Sequence, residues 1–497
     1  MGPVKGVLLD QSFLFSGSDG EDGSLHLLPG AQDLLLRLQY SGLHVGISYK
    51  AGFSSQEEAS IRSVAVLYTL QLILFDASCP EQSFQEISSA WEISADTCVF
   101  VTTELDEVIF HTFCSQSWAI VFQGSRNAVS AMPGVTTIEK LQDLLFTLCH
   151  LNKMALGDSI VAVGYVMKWT REKDFLKRGA FPILPTSHGL TFVSINLDLQ
   201  LIPQLQVVDL ILHKVTDEIL SIDNDRSQSI SEGIRFSDGI QQLQRYMGDM
   251  HYCIVDPFEN IIPLLDRVAT QLILQDLVEI NDPSHCRIRT PHYLKISSFD
   301  EPNLLERIDQ AQLFLPAIVK PQIACGVSDA HTMAVVFNKD DFLGVPVPLP
   351  AVIQEYVDHG SIVYKFYVLG KKVFYAIRGS TPNASSLLLS SGNKGSSIVV
   401  FDSLKSLPVD SIDNQKSEVG KEKLDLEIVV SAAMWLREKL HLTIFGFDVV
   451  IQAGTGDHVI VDVNYLPSFK EIPDDSAIPA FWEAIKSSYE SFKSKHR

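Results

Sequence analysis

The chain of 497 residues lacks a disulfide framework and any zinc spacing. Its seven cysteines, at positions 79, 98, 114, 149, 253, 286 and 325, are odd in number, scattered and without a CxxC pair. That excludes a stapled secreted scaffold and fits a reducing compartment. Positive charge is scarce: 39 Lys and Arg face 60 Asp and Glu, for a net charge of −21. Neither nucleic acid nor an anionic membrane is therefore expected as a partner. No apolar run reaches the ~18 residues that a membrane-spanning helix needs. The opening MGPVKGVLLD has no charged-then-apolar targeting pattern, and Gly6 breaks the N-myristoylation signature. An intracellular, cytoplasmic monomer is the expectation, with the nucleus also open. Two nucleotide motifs are missing as well, GxxxxGK[ST] and GxGxxG, so a nucleotide enzyme encoded here needs another phosphate cradle.

What is present is core-forming sequence, 46% hydrophobic and 9% aromatic, long enough for two to four domains. Charge is uneven. Residues 1–150 hold 6 Lys and Arg against 17 Asp and Glu, so −11 of the total lies in the first third. Basic residues that meet a polyanionic substrate must then be gathered downstream of about residue 150. Residues 4–10 (VKGVLLD) and 44–52 (HVGISYKAG) read as buried strands around a helical segment in 27–42. VAVLYTLQLILFD and CVFVTTE extend that alternation, which implies a parallel sheet with helices on both faces. A second α/β unit starts near Ser159, with strands in IVAVGYVM, TFVSINL and VVDLILHKVTD. DPFENIIPLLDRVATQLIL (256–274) reads as one helix opened by Asp-Pro. Beyond it the chain is rich in strands, including a hairpin, VYKFYVLGKKVFYAI, that turns at LGKK. Residues 383–424 read as a long, turn-rich excursion. DLEIVVSAAMWLREKLHL is an amphipathic helix.

That helix leads into FGFDVVIQAGTGDHVIVDVNYLP, Phe445 to Pro467, two apolar strands around a Gly-rich turn. Folding the hairpin about Thr455 sets Asp448 opposite Asp462, and directly paired residues share a face with Cβ atoms roughly 4.5–5.5 Å apart. Asn464 follows by two and joins that face. Two carboxylates and an amide oxygen, planted inside apolar runs, are hard donors suited to Mg²⁺ carrying phosphate oxygens. Phosphoryl transfer from ATP needs such a metal between the β- and γ-phosphates.

The order is thus a strand ending in Lys320, a loop ACGVSDAH, an acidic strand Gln354-Glu355-Tyr356-Val357, a basic hairpin and the Asp…Asp-x-Asn hairpin. It resembles the ATP-grasp arrangement, in which two antiparallel sheets clamp adenine. Within it, the chain resembles the inositol-tetrakisphosphate 1-kinase family, also called inositol 1,3,4-trisphosphate 5/6-kinases. The matching segments are VGYVM, ILHKVTD, DPFENIIPLLDR, IVKPQIACGVSDAHTMAVVF, VIQEYVDHGSIVYKFYVLG, IRGS and FGFDVVI…VIVDVNYLP, in order over about 340 residues.

The resemblance implies an ATP- and Mg²⁺-dependent kinase acting on an inositol phosphate. Asp448, Asp462 and Asn464 would hold metal. Arg267 and Lys320 would contact ATP, with the backbone of Gln354, Glu355, Tyr356 and Val357 at the adenine edge and Arg378 and Ser380 near the phosphates. Arg171, Lys214, His331 and Lys365 would form a basic cup for the inositol phosphate beside Asn464, with His331 and Lys365 also at the reacting centre. The chain departs from the family where its paired Lys after VGY becomes Thr170-Arg171, where Ser468 replaces a Gly, and where Cys325 replaces a His. A carboxylate–amine ligase of the ATP-grasp type is the alternative reading, and a purely binding protein a third.

The first 150 residues resemble the haloacid-dehalogenase fold, with Asp10 at the nucleophile position and Ser48 at the second motif. Ser12 stands where that family has its second acid, so hydrolysis should be poor. The expected architecture is α/β: a degenerate haloacid-dehalogenase-like domain over 1–150, then an ATP-grasp kinase with an α/β subdomain over 158–255 and its central and C-terminal subdomains over 256–497.

Overall fold

The computed structural model describes residues 1–17, 24–75, 80–125, 132–223, 233–250, 252–281, 287–392, 398–405, 407–408 and 423–496. Strand–helix alternation in the first third builds a parallel sheet of six strands. Its spatial order is Gln71–Leu74, His44–Tyr49, Gly6–Asp10, Cys98–Thr102, Ala119–Gln123, Val135–Ile138. The first strand, GVLLD, is buried at every position, as a central parallel strand covered on both faces must be. Side-chain caps start some of the helices at polar residues. Ser54 and Glu57 form a reciprocal capping box before Ser55–Leu67, and Asp425 accepts from two backbone N–H groups at the start of Leu426–Leu440.

The chain falls into two compact units, Met1–Leu212 and His213–Arg497. The first contains the six-stranded sheet and, after the helix Asp143–Leu156, the strands Val161–Val166 and Leu190–Ser194, which pair in parallel. The second contains two five-stranded sheets. One runs Ile288–Arg289, His458–Tyr465, Ile444–Ile451, Ile362–Leu369, Lys372–Gly379. The other runs Tyr293–Ile296, Ala351–Glu355, Ala317–Pro321, Thr332–Val336, Ile398–Asp402. A core of Val319, Ala334, Val336, Ile353, Phe342 and their neighbours backs the second sheet.

The segment 256–274 is two helices rather than one. Phe258–Ile261 passes into a 3-10 turn, Ile262–Leu265, and a new helix begins at Arg267. Pro263 lacks the N–H that would continue the first helix, and Asp266 caps the second by accepting from Val268 N–H at 2.8 Å. Part of the segment expected as an excursion is regular: Ala384–Gly392 is helical, and Ile398–Asp402 adds an edge strand beside Thr332–Val336. Residues 393–397, 406 and 409–422 of that segment lie outside the described residues.

The C-terminal hairpin pairs Asp448 with Asp462, as counting from Thr455 gives. Nearer the turn the register moves by one: Val449 pairs with Ile460, Val450 with Val459, and Val461 is a bulge residue. Gly446 is required by close packing. A Cβ there would stand 2.9 Å from the Phe366 carbonyl oxygen and 3.1 Å from the Pro467 ring.

Candidate active site

Strand register brings most of the expected residues together in the second unit. Ile362–Leu369 lies against Ile444–Ile451, and Lys365 pairs with Asp448. One face of the sheet therefore presents Lys365, Asp448 and Asp462 in a row, with Asn464 two residues on. The Lys365 ammonium lies 3.0 Å from Asp448 Oδ2. Asn464 Nδ2 donates to Asp462 Oδ2 at 3.1 Å, and Asp462 Oδ1 accepts from Val463 N–H. Burial, with the neighbouring Asp462 charge adding to it, lifts the Asp448 carboxyl to about 6 against the pull of Lys365. Among the described residues no three His, Cys, Asp or Glu side chains gather as a metal cluster. The donor set is two carboxylates and an amide, which suits a cation that completes its shell with phosphate and water oxygens.

From the second sheet Lys320 reaches toward that row, its Nζ 3.5 Å from the Val461 carbonyl. Burial and the nearby Arg267 depress the Lys320 ammonium to about 8, while Asp462 and Asp448 act the other way. Arg267 opens its helix and is held by three backbone carbonyls: Nη1 donates to Pro321 and Ile323, and Nη2 to Ala330 at 3.2 Å. Its burial works against the charge, and Asp462 supports it. A cavity between these groups is lined by Arg267, Gln271, Lys320, Val352, Gln354 and Asp462 among others. Into this setting Gln354 brings a buried Nε2 with no hydrogen-bond partner among the described residues. Buried donors are nearly always paired, so an orphan on a cavity wall marks a place for a ligand acceptor.

The strand Ala351–Glu355 pairs on both sides, with Gln354 opposite Tyr293 and Ile318 and Glu355 opposite Ala317. The Glu355 N–H is given to His292. Its carboxylate is gripped by Arg289 at 2.8 and 2.9 Å, and Arg289 also donates to Gln452 Oε1 at 2.7 Å. Arg289 belongs to the sheet of the Asp448–Asp462 hairpin, so one guanidinium ties the two sheets. Tyr356 and Val357 follow the strand end. The Tyr356 hydroxyl donates to Pro382 O at 2.5 Å, and a His359 ring nitrogen lies 2.6 Å from Val357 O. Ser380 Oγ is 2.8 Å from the other nitrogen of His359.

Lys214 donates to the Tyr465 carbonyl and lies 5.0 Å over the Tyr465 ring, which places it beside Asn464. His331 sits before Thr332–Val336, with Nδ1 3.3 Å from Ser403 Oγ. Burial, then Arg267, lowers its pKa. Arg171 belongs to the other unit, on the helix Trp169–Lys177.

Several groups were not found by sequence reasoning. The orphaned side-chain donor of Gln354 is one, and Arg289 is another. Tyr367 shares the Lys365 face, and its hydroxyl donates to Glu471 at 2.6 Å; Glu471 also meets Arg378 at 3.5 Å. Alternation from Lys365 would have flagged Tyr367, whereas no local signal marks Glu471.

In the first unit Asp10 ends the central strand, 5% exposed. It accepts from Ser12 Oγ at 2.5 Å, Ser12 N–H at 3.0 Å and Ser48 Oγ at 3.4 Å. Burial raises its carboxyl, against those Ser12 bonds. Glu104, past the end of the adjacent strand, is paired with Lys50 at 2.6 Å.

Comparison with known proteins places the chain among named relatives. A family model described as "Inositol 1,3,4-trisphosphate 5/6-kinase ATP-grasp domain" matches residues 283–481. One described as "ITPK4, N-terminal HAD-like domain" matches residues 1–154. Inositol-tetrakisphosphate 1-kinase 6 of Oryza sativa subsp. indica is 44% identical over 501 residues, covering 99% of this chain and 91% of its own. Inositol-tetrakisphosphate 1-kinase of Xenopus laevis is 28% identical over 323 residues, 63% of this chain and 75% of its own. Inositol-tetrakisphosphate 1-kinase 4 of Glycine max is 27% identical over 313 residues, 62% and 84% respectively.

Proposed function

We propose that this chain, which belongs to the inositol-tetrakisphosphate 1-kinase family, is an ATP-dependent kinase that phosphorylates a hydroxyl of an inositol phosphate. One observation carries the reading furthest. Across one cleft, burial lifts Asp448 to about 6 and depresses Lys320 to about 8. Each shift comes first from burial, which disfavours the charged form, and Lys365 only partly offsets it at Asp448. The carboxylates call for a cation and the ammonium for an anion, and a magnesium–nucleotide complex answers both.

Asp448, Asp462 and Asn464 fit Mg²⁺ by donor chemistry. The bound ion would neutralise charge on the β- and γ-phosphate oxygens. Lys320 holds ATP phosphate oxygens, joined by the Arg267 hydrogens that the three backbone carbonyls leave. Gln354 Nε2 meets an acceptor on the nucleotide, Tyr356 and Val357 border the adenine edge past the paired part of the hinge strand with Glu355, and Ser380 lies toward the phosphates. Lys214, His331 and Lys365, with Arg171, take the inositol phosphate charges. Lys365 stands against Asp448 and so reaches both the metal row and the acceptor. These groups orient the hydroxyl in line with the γ-phosphate and spread the charge that develops there. Phosphoryl transfer asks mainly for that positioning and electrostatic stabilisation. The test is incubation of the protein with Mg-ATP and a panel of inositol phosphates, with products resolved by anion-exchange chromatography. A product with one more phosphate is expected. ATP use only with a carboxylate and an amine would assign the chain to ligation.

A further inference from the structure

We propose that Arg37, in the haloacid-dehalogenase-like domain, is a positioning residue for the turn 168–173 that carries Arg171, so that the N-terminal domain sets inositol phosphate affinity without touching the substrate. The inference rests on the reading of Arg171 as a substrate contact. Arg37 lies in the last turn of the helix Ala31–Gln39. Its Nε and Nη2 donate to Glu172 Oε1 at 2.6 Å and Oε2 at 3.0 Å. Its guanidinium also covers the Trp169 ring at 5.1 Å. Trp169 and Glu172 are three apart in the first turn of Trp169–Lys177, so one planar group grips one helix face at two points.

Glu172 is 3% exposed and also accepts from the Tyr165 hydroxyl at 2.9 Å. A buried carboxylate with three donors is fixed in place. The helix has no side-chain N-cap bond, so its first turn takes its orientation from tertiary contacts, and Arg37 supplies a charged one. Lys168 and Arg171 stand on the neighbouring face, one position round from Trp169 and Glu172. Any rotation of the turn therefore moves the basic groups directly. The platform that bears Arg37 is itself fastened to this part of the chain. Asn152, fully buried, accepts from Val4 N–H at 2.7 Å and donates to Ile183 O at 3.2 Å. Ser41 O accepts from Ile183 N–H at 2.9 Å and Leu184 N–H at 3.0 Å. Removing the domain would strip the turn of its anchor as well as its cover.

The test uses the full chain carrying Arg37→Lys, which keeps the charge and loses the fork, together with Glu172→Gln and Arg171→Ala. KM for an inositol tetrakisphosphate with a free 1-hydroxyl, KM for ATP and the melting temperature are measured well below that temperature. Arg37→Lys and Glu172→Gln are expected to raise the inositol phosphate KM roughly tenfold, with ATP KM changed by less than about twofold, as small displacements of a binding group do. A lowered melting temperature with both KM values unchanged would reduce the contact to glue and overturn the inference, as would a parallel rise in both. Should Arg171→Ala raise the inositol phosphate KM while Arg37→Lys leaves it alone, the inference falls and the substrate reading stands. Should Arg171→Ala leave that KM unchanged, the substrate reading of the turn falls and the inference with it.

Discussion

Asp462→Asn tests the proposed metal row with little disturbance of the fold. Asp462 is partly buried, and one carboxylate oxygen accepts from its neighbour's N–H at 3.1 Å, a bond that the amide oxygen of Asn can keep. The losses are one negative charge opposite Asp448 and the acceptor for Asn464 Nδ2. Metal contacts to a transferring phosphoryl group are worth several kcal/mol, so kcat should fall at least ~10²-fold, or about 2.7 kcal/mol. A second effect runs the same way. Asp462 raises both Asp448 and Lys320, so its removal leaves Lys320 less protonated and weaker toward phosphate, which should add a rise in ATP KM. The assay is single-turnover formation of the inositol phosphate product with excess Mg-ATP, set beside the melting temperature. Activity within a few-fold of the wild type, in a variant that melts like the wild type, would refute the metal assignment. Loss of activity with a collapsed melting transition would instead refute the claim that Asp462 is dispensable for folding.

Three further outcomes are expected. Lys365→Ala and His331→Ala should each raise the inositol phosphate KM more than the ATP KM; steady-state kinetics with each substrate varied gives the ratio, and a larger ATP effect would place the acceptor on the wrong side of the cleft. The kcat/KM for ATP should fall below about pH 6, where Asp448 takes up a proton and no longer serves a cation, and above about pH 8, where Lys320 loses the proton that holds phosphate; a profile level from pH 5.5 to 9, at constant ionic strength, would contradict both shifts. Asp10→Asn should leave kinase activity unchanged and release no phosphate from an aryl phosphate either before or after the change, because Ser12 supplies no acid and Glu104 is paired with Lys50; phosphatase activity abolished by the substitution would make the chain bifunctional.

Much of the active site was legible because hairpin symmetry is a counting rule. Seven residues either side of Thr455 gave the Asp448–Asp462 pairing, and a period of two gave Asn464. What counting misses is the partner across the sheet. Nothing local tells Lys365 that its neighbour is Asp448, since strands 362–369 and 444–451 are brought together by tertiary packing. The same holds for Glu355. Its sequence context gives a hinge strand, but its carboxylate is taken by Arg289, 66 residues away. The broken helix at 256–274 was legible in principle. Pro263 and Asp266 carry the break and the cap, though apolar periodicity runs on through both. The parallel sheet of the first third followed from its short buried runs and the helices between them. The grip of Arg37 on Glu172 joins distant stretches of chain and leaves no local trace.

The bulge at Val461 carries a consequence for how the hairpin can be edited. The ladder beyond it pairs 448 with 462, and the ladder before it pairs 449 with 460. The second strand is thus one residue longer than continuous pairing requires, and the spare residue is the one whose carbonyl faces Lys320. Excising Val461 would splice two ladders already in step. Asp462 would still face Asp448, while this one contact with the other sheet would be lost and the Arg289–Glu355 pair would remain. The surplus residue thus adds a contact to the other sheet without taking part in the pairing that sets Asp448 against Asp462.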